Sequence, residues 1–196
     1  MKKLALIAAL LIGATLASAQ AQNRDQTRAV AIFAGGCFWC MEPPFDKVDG
    51  VLATTSGYTG GTKIDPTYEQ VSAGRAGHYE ALQVEYDPSR VSYEKLLDVF
   101  WRNIDPLDAG GQFCDRGPQY RAAIFVVDDA QRTQAEASKA ALEKSGKLPG
   151  RIVTEILPTA KFYPAEAYHQ DYYRKNPTAY TYYRWSCGRD RRLERL

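Results

Sequence analysis

Short apolar runs alternate along the chain with segments of helical periodicity. Five runs predict strands, at residues 29–36, 51–61, 79–87, 121–128 and 151–158. Four segments predict helices, at residues 37–50, within 65–78, at 92–104 and at 129–146. We see no internal repeat and no linker. The pattern therefore predicts one α+β domain: a two-layer α/β sandwich with a mixed sheet, in the form of a ferredoxin-like plait.

The ends of these helices carry local signals. Ser92 is a predicted N-cap, and Gly50 and Gly146 are predicted to end the first and last of the helices named above. Pro43 and Pro44 should limit the first helix, since proline is comfortable only in a first turn.

Two segments have no regular pattern. Residues 105–120 contain glycine, proline and aspartate throughout, which predicts a long loop of the kind that is often functional. The segment from residue 165 onward is aromatic and basic, and we expect it to be partly helical and broken at Pro177.

The first 21 residues have the organisation of a secretory signal peptide. "MKK" is followed by the apolar "LALIAALLIGATLA" and by a small-residue cleavage site, "ASA" or "AQA". The apolar run is too short for a convincing membrane span, and no cysteine follows it to carry a lipid. We therefore expect residues 22–196 to form an exported protein, periplasmic or secreted.

Charge and composition narrow the possible partners. Without Lys2 and Lys3 the chain has 23 basic and 23 acidic residues, so neither nucleic acid nor a membrane surface is an expected partner. A neutral chain of this size is expected to be a monomer. Thirteen tyrosines and three tryptophans exceed what one core requires, so some of them are expected to line a pocket.

Four cysteines in an exported protein suggest structural disulfides, but the surroundings of Cys37 favour chemistry. Cys37 lies where a strand ends and a helix begins, and the helix N-terminus should lower the pKa of its thiol and make it a thiolate. Cys40, three positions on, lies on the same helix face, so the two can form a redox pair.

Other uses of this C-x-x-C motif fit less well. A zinc site would need a second pair of ligands, and His78 and His169 have no ligand spacing, so no metal is predicted. Covalent haem would need histidine at the position of Met41. Thioredoxin-type oxidoreductases carry small or polar residues inside the motif, where this chain has the bulky Phe38 and Trp39.

Glu80 is a candidate general acid. Strand alternation places it on the same face as Leu82 and Val84, where burial should raise its pKa until it holds a proton near neutrality. An alternative is a structural glutamate held by Arg75 or Arg121.

The loop "QFCDRGPQYR" gathers Asp115, Tyr120 and their polar neighbours, which could also be an ordinary hydrogen-bonded scaffold. Tyr68 has no signal of its own.

Several longer motifs carry a family resemblance. They are "GGCFW", "SGYTGG", "PTYEQVSAGRAGHYEALQVEYDP", "DRGPQYR" and "AEAYHQDYYRKNP". Together, in order from Ile32 to Pro177, they resemble the peptide methionine sulfoxide reductases of the A type. The resemblance implies reduction of the (S)-epimer of free or protein-bound methionine sulfoxide, and so a role in protein repair.

The resemblance also implies roles for individual residues. It gives Cys37 as nucleophile, Glu80 as acid, Tyr68 and Tyr120 as ligands of the sulfoxide oxygen, Asp115 as the residue that orients them, and Phe38 and Trp39 as the apolar wall for the S-methyl group. No bound cofactor is implied. An external thioredoxin-like dithiol would reduce the disulfide that forms when a second cysteine resolves the sulfenic acid.

The resolving cysteine is an open choice. Much of the family lacks cysteine at position 40 and resolves through a glycine-rich tail, whereas this chain has Cys40 and a tail with Cys187 and little glycine. We favour Cys40 because a short loop costs least to close, although strain in so small a ring would favour Cys187. Cys114 is expected to be a buried bystander.

Two other functions compete with reduction of a sulfoxide. A thiol–disulfide oxidoreductase would reduce disulfides without needing Glu80. A disulfide-stapled binding protein with an aromatic groove would contain no free thiol.

Overall fold

The computed structural model describes residues 28–196, so the predicted signal peptide at residues 1–21 lies outside the described residues. Eight strands are present in that range: β1 (Ala29–Gly35), β2 (Val51–Thr59), β3 (Tyr79–Tyr86), β4 (Gly111–Gln112), β5 (Asp115–Arg116), β6 (Ala122–Val126), β7 (Glu155–Pro158) and β8 (Tyr163–Pro164). Seven α-helices accompany them: α1 (Phe38–Asp46), α2 (Tyr68–Ser72), α3 (Tyr93–Trp101), α4 (Asp129–Lys144), α5 (Tyr172–Lys175), α6 (Pro177–Ser186) and α7 (Arg189–Leu193).

Six strands form a mixed sheet in the order β7-β6-β1-β3-β2-β8. Only the β6–β7 pair is parallel, and the other pairs in this sheet are antiparallel. The α+β class and the mixed sheet agree with the sequence prediction. Helix α1 follows β1 and α3 follows β3, an arrangement that is compatible with the ferredoxin-like plait expected from the sequence.

The main core lies where α1, α3 and α4 cover one face of the sheet. Phe33 of β1 is fully buried, and its ring stacks on Phe45 of α1 at 5.1 Å and on Phe100 of α3 at 5.2 Å between centroids. Leu82 and Val84 of β3 belong to the same cluster, while Tyr79 and Ala81 belong to a cluster on the other face. Each large side chain buried here contributes about 1.5–3 kcal/mol.

The helix boundaries follow the predicted signals in two places. The Ser92 hydroxyl accepts a hydrogen bond from the backbone N–H of Lys95 and caps α3. Gly146, with φ of +67°, directly follows Ser145, which is the C-cap residue of α4. In the C-terminal segment α5 ends at Lys175 and α6 begins at Pro177, so the predicted break is confirmed.

Two predictions about local structure are wrong. Pro43 and Pro44 lie inside α1 and do not limit it, because burial of Pro43 and Phe45 against the core holds the helix through Asp46. Residues 105–120 are not a plain loop, since they contain the β4–β5 hairpin and a 3₁₀ helix (Pro118–Tyr120). Within residues 28–196 no helix combines the length and apolar character needed to cross a membrane.

Candidate active site

The turn between β1 and α1 fixes the position of Cys37. Gly36 has φ of +78°, a conformation that favours glycine, and a Cβ added there would lie 2.5 Å from the Gln112 Cβ. A Cβ on Gly35 would collide with the Met41 thioether. The glycine pair therefore lets Cys37 take the N-cap position of α1, as the sequence predicted.

Glu80 lies directly beside this turn. Its Oε2 atom accepts a hydrogen bond of 3.2 Å from the backbone N–H of Phe38, the residue after Cys37. The Glu80 side chain is only 2 % exposed, and burial raises its pKa to about 8. The carboxyl therefore carries a proton at neutral pH, next to the Cys37 backbone.

The alternative role for Glu80, as a structural partner of arginine, is not supported. Arg121 pairs with Glu155 at 3.2 Å, and Arg75 is exposed. Among residues 28–196, Glu80 takes part in no salt bridge.

The two thiols of the C-x-x-C motif are free and buried. The prediction that the helix N-terminus lowers the pKa of Cys37 is wrong for the free protein, because burial raises that pKa well above its usual value. The pKa of Cys40 falls to about 7, first because the Cys37 thiol donates a hydrogen bond to it and then because Arg189 and Arg184 lie near.

Tyr68 and Tyr120 both lie within electrostatic reach of the Glu80 carboxyl and the Cys37 thiol. Tyr68 is the first residue of α2, and Tyr120 ends the 3₁₀ helix. Burial raises the pKa of both phenols, and negative charge at Glu80 and Cys37 raises each further. Both hydroxyls therefore keep their protons and can act as hydrogen-bond donors.

Asp115 also lies at the site, but it contacts a residue that the sequence did not single out. The hydroxyl of Tyr183 in α6 donates a hydrogen bond of 2.5 Å to Asp115 Oδ2. Burial raises the pKa of Asp115, whereas the Tyr183 bond and the Arg189 charge oppose that shift. Burial also raises the pKa of Tyr183, followed by the charge at Cys37, which places this phenol beside the nucleophile as well.

Phe38 and Trp39 form an aromatic wall whose orientation is fixed by the C-terminal segment. Phe38 is fully buried, while Trp39 is partly exposed. The indole of Trp39 stacks on Tyr172 at 3.8 Å between centroids, and its Nε1–H donates to Nδ1 of His169 at 3.0 Å. An apolar group can therefore rest against a rigid surface next to Cys37.

Sequence reasoning missed several residues of the C-terminal segment. Besides Tyr172, Tyr183 and His169, it missed Glu166, which accepts hydrogen bonds from the Tyr58 hydroxyl at 2.8 Å and from the backbone N–H of Tyr68 at 2.9 Å. The surplus of aromatic residues was the available signal. It could not select among them, because the segment lacks a clear periodicity.

Cys114 is not a buried bystander, as the sequence had suggested. It is exposed and forms a disulfide with Cys187, which joins the β4–β5 hairpin to the end of α6. Both sulfurs and an oxygen of Asp115 lie within 4.8 Å of one another, but the disulfide occupies the two thiols that a metal would need. The two free thiols at Cys37 and Cys40 contradict the disulfide-stapled binding protein, which would have none.

A free thiol at a helix start, a protonated carboxyl beside it and an aromatic wall define a cysteine-dependent oxidoreductase. The comparisons with known proteins make this more specific. The family model described as "Peptide methionine sulfoxide reductase" matches residues 29–196. The chain therefore belongs to the peptide methionine sulfoxide reductases.

Individual relatives agree with this assignment. The peptide methionine sulfoxide reductase MsrA of Halalkalibacterium halodurans is 58% identical over 160 residues, which cover 82% of this chain and 91% of the relative. The reduced form of Mxr1 from Saccharomyces cerevisiae is similar in structure, with a TM-score of 0.73, 33% identity and coverage of 78% of this chain and 88% of Mxr1. Methionine sulfoxide reductase A of Corynebacterium diphtheriae has a TM-score of 0.69 and 34% identity, covering 77% and 76% of the two chains.

The resemblance found in the sequence is thus confirmed. The protein is a thiol-dependent oxidoreductase of the peptide-methionine (S)-S-oxide reductase class, and its family reduces methionine sulfoxide.

Proposed function

We propose that Cys37 attacks the sulfur of (S)-methionine sulfoxide, free or within proteins, while Glu80 gives its proton to the oxygen. The observation that carries this proposal is the hydrogen bond from the Phe38 N–H to the buried Glu80 carboxyl, since it holds a proton donor one residue from the nucleophile. A sulfoxide oxygen leaves poorly unless it is protonated.

The other residues have roles that follow from their chemistry. Tyr68 and Tyr120 donate hydrogen bonds to the oxygen as it gains charge, and Asp115 orients that network. Phe38 and Trp39 hold the S-methyl group. Loss of one such hydrogen-bond donor costs about 10²–10³ in rate.

The reaction has three balanced steps. Cys37 takes the oxygen as a sulfenic acid and methionine leaves. Cys40 then condenses with Cys37 to form a disulfide and release water. An external dithiol, which we propose is a thioredoxin-like protein, reduces that disulfide and returns both thiols. No bound cofactor takes part.

Cys40 is favoured over Cys187 as the resolving cysteine. Cys40 is a free thiol on the same helix turn as Cys37, whereas Cys187 is bonded to Cys114 and must first be reduced. The separation of only three residues keeps the closure cost low.

We also propose that residues 1–21 direct export and that the mature protein, residues 22–196, works as a monomer in the periplasm or outside the cell. The Cys114–Cys187 disulfide supports an oxidising location. Fractionation of cells, with N-terminal sequencing of the exported protein, would test this: an uncleaved cytoplasmic chain would contradict it. Size-exclusion chromatography of the mature protein would test whether it is a monomer.

The activity is tested with a racemic methionine sulfoxide peptide, the mature protein and dithiothreitol, with the two epimers separated by chromatography. We expect loss of the (S)-epimer alone and no turnover by Cys37→Ser. A double variant, Cys114→Ser with Cys187→Ser, is the matched control and should keep its activity with dithiothreitol.

Turnover by Cys37→Ser, or consumption of the (R)-epimer, would refute the proposal. Reduction of insulin disulfides that is insensitive to Glu80→Gln would instead favour the thiol–disulfide oxidoreductase.

A further inference from the structure

Glu166, in the segment after β8, joins two parts of the site that lie far apart in the chain. Its Oε1 atom accepts a hydrogen bond from the backbone N–H of Tyr68 at 2.9 Å, and its Oε2 atom accepts one from the Tyr58 hydroxyl at 2.8 Å. The two donors are 98 and 108 residues away from Glu166 along the chain. One carboxylate therefore connects the start of α2 with strand β2.

The bond to Tyr68 holds the first residue of α2. This helix has only five residues, and the first N–H groups of a helix have no acceptor within it. The Gln70 side chain accepts the N–H of Thr67 at 3.2 Å, and Glu166 accepts the N–H of Tyr68. Because so short a helix is marginal on its own, the placement of Tyr68 depends on contacts from outside α2.

The bond to Tyr58 connects Glu166 to the aromatic wall. Tyr58 is buried, and its ring packs against Phe38 with 6.0 Å between centroids. The Glu166 carbonyl also accepts the backbone N–H of His169 at 2.9 Å, and the His169 ring accepts the indole N–H of Trp39. Glu166 thus contacts a support of each residue of the wall.

The segment that carries Glu166 is itself anchored on the sheet. Ser56 of β2 exchanges two hydrogen bonds with the Gln170 side chain, at 2.9 Å through its N–H and at 2.8 Å through its carbonyl. The N–H of Ala165 donates to the same carbonyl at 2.8 Å. Glu166 therefore projects from a fixed backbone, so a bond to its carboxylate fixes the partner as well.

The carboxyl of Glu166 is ionised at neutral pH. Burial raises its pKa, but hydrogen bonds from the Tyr68 N–H, from its own N–H and from the Tyr58 hydroxyl outweigh burial and bring the pKa below its usual value. An ionised carboxylate only accepts hydrogen bonds, which matches the two donors that it binds.

The oxygen and the methyl group of methionine sulfoxide are bonded to the same sulfur, so their separation and handedness are fixed. Tyr68 and the aromatic wall pack in one hydrophobic cluster with Tyr58. We propose that Glu166 sets the Tyr68 hydroxyl at the distance from the aromatic wall that the oxygen and methyl group of one epimer require. This role rests on the proposed function. Glu166 acts through Tyr68, so it is a positioning residue.

Three substitutions separate the two hydrogen bonds of Glu166 from its charge. Glu166→Ala removes both bonds. Glu166→Gln removes the charge but keeps an oxygen for the Tyr68 N–H and an amide group for the Tyr58 hydroxyl. Glu166→Asp keeps the charge but is one methylene shorter, so it cannot reach both donors.

Glu69→Ala, at an exposed position of α2, is a control that is matched in charge. Burial lowers the pKa of His169, and the carboxylates of Glu166 and Glu69 both oppose that shift. Loss of either one therefore removes a negative charge near the same ring.

Single-turnover release of methionine, measured over a range of (S)-sulfoxide concentrations, gives the maximal rate and the half-saturating concentration without the recycling steps. Glu166→Ala should lower the maximal rate by about 10–10²-fold, less than the loss of about 10²–10³-fold expected for Tyr68→Phe. The half-saturating concentration should change little, because Trp39 keeps its stack on Tyr172. Glu166→Asp should also lose rate, whereas Glu166→Gln should keep most of it and Glu69→Ala should match the wild type.

A double-mutant cycle with Tyr68→Phe decides whether Glu166 acts through Tyr68. When the hydroxyl is absent, Glu166→Ala should lower the rate by no more than about twofold further, which is the usual error of additivity. The same loss in both backgrounds would overturn the proposal, and so would a Tyr68→Phe variant as fast as the wild type. A fully active Glu166→Asp beside an inactive Glu166→Gln would also overturn it, because the charge alone would then matter.

Circular dichroism shows whether each variant folds. If Glu166→Ala does not fold, the same cycle with Glu166→Asp decides between the same outcomes. Failure of the proposed function is distinct, because then even the wild type releases no methionine from the (S)-epimer.

Discussion

At the scale of single residues, burial decides which group holds a proton. Glu80 and Cys37 are both enclosed, and burial raises the pKa of each, so the proposed acid can donate a proton at neutral pH, whereas the proposed nucleophile must lose one during the reaction. The pKa of Cys40 shifts in the opposite direction, because the Cys37 thiol donates a hydrogen bond to it and two arginines lie near.

The rate of methionine formation should therefore rise with pH up to about 8 and then level off, because above that pH Glu80 loses the proton that the sulfoxide oxygen needs while Cys37 continues to ionise. Glu80→Gln should lower the single-turnover rate by about 10²–10⁴ and remove this break near pH 8, so that its rate keeps rising with pH. Quenched single-turnover reactions between pH 6 and 10 would measure the rate and its pH dependence in the wild type and the variant. Asp87→Asn, directly before the exposed turn at residues 88–90, is the control. A break near pH 8 that persists unchanged in Glu80→Gln would assign it to another group.

The sequence was sufficient to single out Glu80 and Cys37 as candidate residues, but not to predict the direction in which the pKa of Cys37 is shifted. Strand alternation placed Glu80 on the apolar face, and the glycine pair marked the strand end before Cys37. The helix N-terminus is a local feature, whereas the burial that outweighs it comes from packing across the molecule. Tyr183 and Arg189 were missed for the same reason, since only the folded C-terminal segment brings them to the site.

At the scale of elements, the turn from β1 to α1 is the most constrained part of the site. Gly36 combines a left-handed backbone with a close approach to Gln112, whose side chain is itself fully buried. Neither constraint can relax without moving the N-terminus of α1, and that movement would carry Cys37 away from Glu80.

Gly36→Ala should therefore cost more than the roughly 1–2 kcal/mol of a left-handed alanine and should also lower kcat. Gly146→Ala is the matched control: its φ of +67° is similar, but nothing lies within 4 Å of the added Cβ. We expect it to lose about 1 kcal/mol and no activity. Urea unfolding of both variants measures the free energy of unfolding, and steady-state assays measure kcat. Equal losses of stability would show that the contact with Gln112 is unimportant.

The longer elements were largely predictable, because the strands have a clear apolar pattern and helices α3 and α4 have clear periodicity and capping residues. The exceptions are informative. Pro43 and Pro44 are tolerated in α1 because packing of Phe45 on Phe33 outweighs the tendency of proline to end a helix. The β4–β5 hairpin within residues 105–120 could not be predicted, because strands of only two residues are too short to show an alternating pattern.

At the scale of the whole molecule, the C-terminal segment closes the site from outside the main sheet. His169 and Tyr172 fix Trp39, Tyr183 binds Asp115, and the Cys114–Cys187 disulfide ties the end of α6 to the hairpin that carries Asp115.

Removing that disulfide with Cys114→Ser and Cys187→Ser should destabilise the protein by up to about 4 kcal/mol, because it closes a loop of 73 residues. Turnover with dithiothreitol should persist below the melting transition. Thermal unfolding with and without the substitutions measures the change in stability.

The double variant also tests the resolving cysteine. A Cys37–Cys40 disulfide found after one turnover of this variant would exclude Cys187 as the resolving cysteine. An accumulated sulfenic acid there would instead point to Cys187.

The late position of Arg189 and Tyr183 in the chain has a consequence for biogenesis. A nascent polypeptide presents Cys37 and Cys40 long before the helices that enclose them have been synthesised. Until helices α6 and α7 dock, the two thiols are exposed to oxidants and to folding catalysts, and the site is complete only when these helices have folded against it.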